Sequence, residues 1–535
     1  VKLSQLVVIA SIPLLLVGVL RYAAFVPSPA RFEPPQQLLP DQLSSGVRNV
    51  DQAFAEYWGQ QNCQPATRTS DLQVLRRLFF ALIGSPPSLE EIRQFESDTA
   101  PQRLDRWAAQ LLEDTRFAYY FADRLARCLT GVEQGQLIVF RRDRLRDWLA
   151  RQLLDDTPWP VMVRSLIAAD GLWTDNPAVN YITVARTDEE IIDTNKLAAR
   201  TARVFLGQRM DCAQCHDHPF DERWKQRDFE GLAAYFDGVG LALTGVTDDD
   251  QQAKTSASVP FDPHWGSQTG TRRQQLAEWL VHPDNVRFER AIANRIWGLM
   301  TGRPLVTPVD DLPHPDQPVP QPLVTLGKEF RRHGSSLRNL IRIIISSKAF
   351  QVSSESDAPQ EQVLHLAEHK ALFPLTRLRP EQVVGAIFQS SLIATADQDS
   401  HPLIRFRRLI AETEFIREFG DAGEDELSEQ GVTVSQTLLR MNGKLTTEST
   451  STEMLNGPGQ LVSFCPDNES LIRNAFLMCL TRQPDTRELD LFLQQYQLPS
   501  QESDTADDLQ KKHRTEATED LFWALMNSPE FIWNH

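Results

Sequence analysis

The strongest constraint on the fold of this chain is a repeated grammar of capped helices broken by proline. From Asp71 to Ile83, Leu72, Leu75, Leu78, Phe79 and Leu82 recur at helical spacing, which makes one helix face apolar. Gly84-Ser85-Pro86-Pro87 stops that helix, and Ser88 with Glu91 three residues on forms a capping box that opens the next. The same order returns near the far end of the chain. Ile472 to Leu480 reads as helix, Arg482-Gln483-Pro484 breaks it, and Asp485 with Glu488 caps a helix through Phe492. Aligning Pro87 with Pro484 also pairs Arg76 with Arg473, Phe79 with Phe476, Glu91 with Glu488 and Phe95 with Phe492. Two copies do not make a solenoid; they describe two similar hairpins, and convergence on a well-capped hairpin accounts for them equally.

Further helices are expected from Asp193 to Met210 and from Asp228 to Phe236, where Gly238 can terminate. Others are expected from Arg272 to Val281, Phe288 to Met300 (Ile292, Ile296, Trp297 and Met300 inward), Leu337 to Phe350 and Asp520 to Trp533, the last broken near Pro529. Strand-like alternation is scarce. The expected fold class is mainly α: multi-helical, with two helical domains after an N-terminal membrane segment and little β.

A length of 535 residues exceeds one ordinary core, so two or three domains are expected. Leu3 to Leu20 is apolar except for Ser4, Gln5 and Ser11, with Lys2 ahead and Arg21 behind, which suits a bilayer span or a secretory signal. Ala23, Ala24 and Ala30 offer no clean cleavage pattern, which favours an uncleaved anchor over residues 1–24 and a body on the exported, periplasmic side. Residues 25–70 read as a proline-rich spacer, extended from Pro27 to Pro40. A helical domain is expected over 71–243, a linker loop over 244–267 and a C-terminal helical domain over 268–535. Within the linker, Asp248-Asp249-Asp250 lacks the alternating spacing of a calcium loop and reads as a solvated turn.

The formal charge of −17 disfavours nucleic acid as a partner, and no basic, aromatic-interleaved stripe offsets it. The run from Arg141 to Asp147 fits a solvated helix face with ion pairs along it. Six cysteines are too few for a disulfide scaffold. Cys128 and Cys479 sit in apolar stretches and read as core residues, and any pairing among Cys63, Cys128, Cys465 and Cys479 is left open.

One motif carries definite chemistry: Cys212-Ala213-Gln214-Cys215-His216. Two thiols three residues apart on one helical turn can both add to the vinyl groups of a haem, and the adjacent histidine can ligate its iron as the proximal ligand. An exported location agrees, since c-type haem is attached there. A thioredoxin-like reading requires a preceding strand, whereas a helix precedes this motif. A zinc site using Cys212, Cys215 and His218 or His216 lacks a second ligand pair, and an inert pair of thiols is the blandest alternative. His218 lies too near the proximal ligand to reach the opposite face of the iron and suits a supporting role, as do Asp217 and Asp221, which can orient an imidazole. Met210 is too close to serve as distal ligand; Met162, Met300 and remote histidines are conceivable. No paired-carboxylate, Ser/His/Asp or phosphate-loop arrangement stands out, so catalytic residues are not assigned.

Phe205-Leu206-Gly207, the Cys212 to Asp221 run, Trp224-Lys225-Gln226, Asp228-Phe229 and Leu232 to Phe236 together resemble the centre of the planctomycete cytochrome-c-like domain. Arg272 to Trp279, Pro283-Asp284-Asn285, Asn294 to Trp297, Leu340 to Phe350, Leu455 to Pro458 and Met526 to Phe531 resemble its habitual partner, a planctomycete C-terminal domain of unknown function. The resemblance runs from about Asp71 to the end. It implies one haem c held covalently on Cys212, Cys215 and His216, and it supplies no reaction. Many relatives carry an additional N-terminal cytochrome domain. Here only a lone Cys63 precedes the body, which leaves an unknown redox partner protein and puts a glycan-related role in doubt.

Overall fold

The computed structural model describes residues 41–131, 142–187, 191–217, 224–251, 253–267, 269–396, 427, 433–454, 456–497 and 506–535. The expected anchor over 1–24 lies outside them, and among the described residues no helix is long and apolar enough to cross a membrane.

Helices dominate. The first, α1 (Asp41–Gln60), corrects the spacer expected over 25–70. Leu43, Val50, Phe54 and Trp58 fall on one face at helical spacing and are buried, so this segment is part of the body. The hairpin α2 (Asp71–Leu82) and α3 (Leu89–Ser97) follows, with the expected capping box at Ser88 and Glu91. Then come α4 (Thr115–Thr130), α5 (Arg142–Leu154), α6 (Thr194–Thr201) and α7 (Gln226–Ala233). Leu145 and Leu149 bury one face of α5, while Arg146 pairs along the helix with Asp143 and Asp147, and Arg142 reaches Asp123 on α4.

The expected linker over 244–267 contains structure. Strands β1 (Val239–Ala242) and β2 (Gly245–Asp248) form an antiparallel hairpin with Val239 opposite Asp248. At its end Asp248 is not a simply solvated turn residue. It accepts from Arg273 at 2.7 and 2.9 Å, a bidentate clamp on the next helix.

That helix is α8 (Arg272–Leu280), followed by α9 (Val286–Thr301), α10 (Gln321–Arg332), α11 (Leu337–Ser346) and α12 (Gln360–Glu368). Almost every side chain of α9 is buried, including the expected Ile292, Ile296, Trp297 and Met300; it is the central helix. Gly46 lets α1 lie close to α10 and α11, since a Cβ there would meet His333 Nε2 at 3.0 Å and Ile343 Cδ1 at 3.1 Å. The chain ends with β3 (Thr376–Arg377), α13 (Pro380–Ser390), α14 (Asn468–Leu480), α15 (Thr486–Gln495), α16 (Ala506–Asn527) and β4 (Trp533–Asn534), which pairs with β3.

Two cores result, and their division differs from the expected boundary. The larger runs from Leu43 to Phe373 and so spans both halves. The smaller gathers α13, α14 and α16 around Phe80, Leu89 and Ile92 of the first hairpin. Helix α2 is the seam. Arg76 donates to Cys479 O and Phe531 O at 3.0 and 3.2 Å, and Arg77 to His535 O and Val352 O, each at 2.7 Å. Burial brings these guanidinium groups down, Arg76 to about 10 and Arg77 to about 9. The paired hairpins share their capping boxes, but Arg473, matched to Arg76, stays on the surface and pairs with Glu469 at 2.8 Å.

Candidate functional site

Helix α6 begins at Asp193, whose carboxylate accepts from Lys196 N at 3.0 Å. The expected continuation to Met210 is corrected. The helix widens into a π-helical turn over Ala202–Leu206 and stops at Gly207, whose φ of 56° is left-handed. A Cβ on Gly207 would lie 3.0 Å from Leu312, so glycine is required there by both conformation and space.

A buried cation holds this stop in place. Arg287 of α9 donates to Leu206 O (3.0 Å), Gly207 O (3.1 Å), Gln208 Oε1 (2.8 Å), Leu312 O (3.1 Å) and Pro313 O (2.8 Å). Gly207 O also accepts from Leu312 N at 2.7 Å. The guanidinium fork thus staples the end of α6 to the 312–313 loop of the second half. Arg209 adds an ion pair with Asp310 at 2.9 Å.

The motif then forms a 3-10 turn, Asp211–Gln214, closed by Ala213 N donating to Met210 O at 2.9 Å. Cys212 lies within this turn and Cys215 directly follows it, and both are exposed free thiols. Asp211 and Gln214 stand at the two ends of the turn, while buried Ala213 and Met210 anchor it to the core. Asp211 pairs with Arg203 at 2.9 Å. Burial opposes the Arg203 charge, yet Asp211 and Asp310 hold its pKa above the ordinary value.

His216 is exposed, and its Nδ1 lies 2.7 Å from Asp217 O. A carbonyl only accepts, so Nδ1 carries the proton and Nε2 keeps its lone pair. The orienting role expected of the Asp217 carboxylate falls instead to its backbone oxygen. The carboxylate accepts from Gln226 N at 3.0 Å and pairs with Lys225 at 3.3 Å. The Gln226 bond and Lys225 hold its pKa below the usual carboxylate range. His218 and Asp221 lie outside the described residues. Met162, Met210 and Met300 are buried in the core, away from the exposed position of His216.

Beside the turn, reached by Asp211 and Gln214 rather than by the thiols, is a cleft of about 450 Å³ lined by both halves. Its walls carry Arg127, Lys196, Arg200, Arg203, Arg209 and Arg295 against Asp193, Asp211 and Asp310. Sequence reading missed this cleft, because its arginines are scattered from residue 127 to 295. It also passed over His365, Glu368 and His369 on α12, whose spacing of three and four was visible in the sequence.

Residues 49–240 match the family model PSCyt2, described as a protein of unknown function (DUF1549), and residues 272–403 match PSD1, described as a protein of unknown function (DUF1553). The two matches fall in that order. They support the two-domain arrangement implied by the resemblance, and neither description mentions a cytochrome-c-like domain or an activity. The first match begins inside α1, consistent with that helix belonging to the body. No curated protein and no solved structure matches.

Proposed function

We propose that this chain is an exported c-type haem-binding protein serving periplasmic electron transfer or haem-dependent oxidation, held at the membrane by its N-terminal segment. The observation that supports the reading is that Cys212, in a 3-10 turn, and Cys215, which follows it, are both free and exposed, beside a histidine whose Nδ1 is already committed. In this reading Cys212 and Cys215 would hold a haem covalently through thioethers, each S–H adding across one vinyl group, and His216 Nε2 would ligate its iron. The bound haem would contribute one-electron chemistry. Arg203, Arg287 and Gly207 act earlier, by fixing where the turn sits.

No observation favours the alternative of a helical interaction protein with a zinc-binding or inert Cys/His site. Among the described residues, Cys212, Cys215 and His216 do not come together as a three-ligand group. The test is a pyridine haemochrome spectrum and a haem stain on protein from a host that matures c-type cytochromes. The expected result is one covalent haem, lost in Cys212→Ala with Cys215→Ala. A colourless wild-type protein from that host would overturn the reading.

A further inference from the structure

The C-terminal end of α12 carries three donors on one face: His365, Glu368 and His369, spaced three and four apart. One potential ligand atom from each lies within 4.8 Å of the others. The imidazole rings meet edge to face with centroids 4.7 Å apart. Adjacent histidines on a helix are common; what distinguishes these two is that each ring is fixed from outside its own helix.

Both anchors come from the end of α1, about three hundred residues earlier in the chain. His365 Nε2 lies 3.0 Å from Gln61 O, and His369 Nδ1 lies 2.8 Å from Tyr57 Oη. Since Gln61 O accepts, His365 carries its proton on Nε2 and keeps a lone pair on Nδ1. The Tyr57 hydroxyl can donate or accept, and in the tautomer whose Nδ1–H donates to it, Nε2 of His369 is likewise free to ligate. Trp58 Nε1 donates to His369 O at 3.0 Å and fixes the backbone as well. One ring nitrogen engaged and the other free is the arrangement that orients metal-binding histidines.

We infer that His365, Glu368 and His369 form a binding site for a late first-row divalent cation such as Zn²⁺, distinct from the cysteine motif and preorganised by Tyr57 and Gln61. Two imidazoles and one carboxylate select such an ion over Mg²⁺ or Ca²⁺, which prefer all-oxygen shells. His365 and Glu368 are exposed and His369 half-buried, so the ion has an entry path and a fourth position open to water. The partial negative charge of the last carbonyls of α12 adds to the attraction.

The experiment uses the untagged mature chain, stripped with a chelator and titrated with Zn²⁺ by calorimetry and with Co²⁺ by visible absorption. One equivalent should bind, with Co²⁺ d–d bands of a low-coordinate site. His365→Gln with His369→Gln should abolish it, Glu368→Gln should weaken it, and Tyr57→Phe should weaken it roughly 10- to 100-fold. Cys212→Ser with Cys215→Ser should leave it unchanged, which separates this site from any metal at the cysteine motif. Absence of binding, binding indifferent to the histidine pair, or binding abolished by the cysteine pair would each overturn the inference. Thermal melts matching wild type establish that the histidine and tyrosine variants are folded. Glu368→Gln, at an exposed side chain, provides a second reading if one of them is not.

Discussion

Replacing Arg287 with Met keeps much of the buried aliphatic stem and removes five donated hydrogen bonds at the end of α6. Gly207 O keeps Leu312 N as a donor, so the acceptors that lose most are Leu206 O, Leu312 O, Pro313 O and Gln208 Oε1. Each buried acceptor left without its donor costs about 1 kcal/mol or more, or ~4 kcal/mol in all. The substitution also relieves the burial of a cation, a cost visible in the Arg287 pKa, which desolvation brings down to about 10 although Asp311 opposes it. The net destabilisation should be about 3 kcal/mol, a fall in Tm of roughly 4 °C for a core of this size. Differential scanning calorimetry measures this, and hydrogen exchange should locate the loosening at Gly207–Ala213. Arg287→Lys should recover less than about half, because an ammonium cannot reproduce the planar fork that reaches both chain segments. A Met variant melting within about 1 °C of wild type, or full rescue by Lys, would refute the staple.

Two further predictions concern the C-terminal hairpin and the motif. Burial pushes the Glu530 carboxyl up, but Arg482, at 2.6 Å from both oxygens, and His535 pull it down to about 2, against an ordinary value of 4.5. Its stabilising contribution is therefore complete above about pH 5 and lost as pH falls toward 2; it is worth about 2–3 kcal/mol after screening. Urea titrations of wild type and Glu530→Gln should converge as pH drops, and an unchanged gap at pH 3 would contradict the assignment. In haem-free protein, Cys212 and Cys215 should react rapidly with a chromogenic disulfide reagent, whereas burial pushes the thiols of Cys63 and Cys479 up and slows them. A fast phase that survives Cys212→Ser with Cys215→Ser would place the accessible thiols elsewhere.

Local signals in the chain sufficed for several helices, but the last, α16 (Ala506–Asn527), begins well before the expected Asp520 and Trp533 lies in β4. The spacing from Leu72 to Leu82, the Gly-Ser-Pro-Pro stop and the Ser88–Glu91 box act within a few residues, and the structure reproduces them with α2 ending at Leu82. The same is true of the box at Asp485 and Glu488 and of the inward face of α9.

The misreadings have a different origin. The helical run that begins with α6 ends four residues before the Met210 expected from the sequence, because what stops it is Gly207 held under Arg287, eighty positions away in sequence. Helix α1 carried its apolar spacing openly, yet prolines before Asp41 suggested a spacer; the faces of α10 and α11 give those side chains somewhere to be buried. The Asp217 carbonyl, rather than its carboxylate, reaches His216 because Gln226 and Lys225 claim the side chain. The cleft beside the turn and the Tyr57 and Gln61 anchors join segments that only long-range packing brings together. Caps and periodicity act through bonds spanning a turn or two. Which helix faces another, and which charge meets which carbonyl, is set by burial across the whole chain, and no short stretch of residues contains that information.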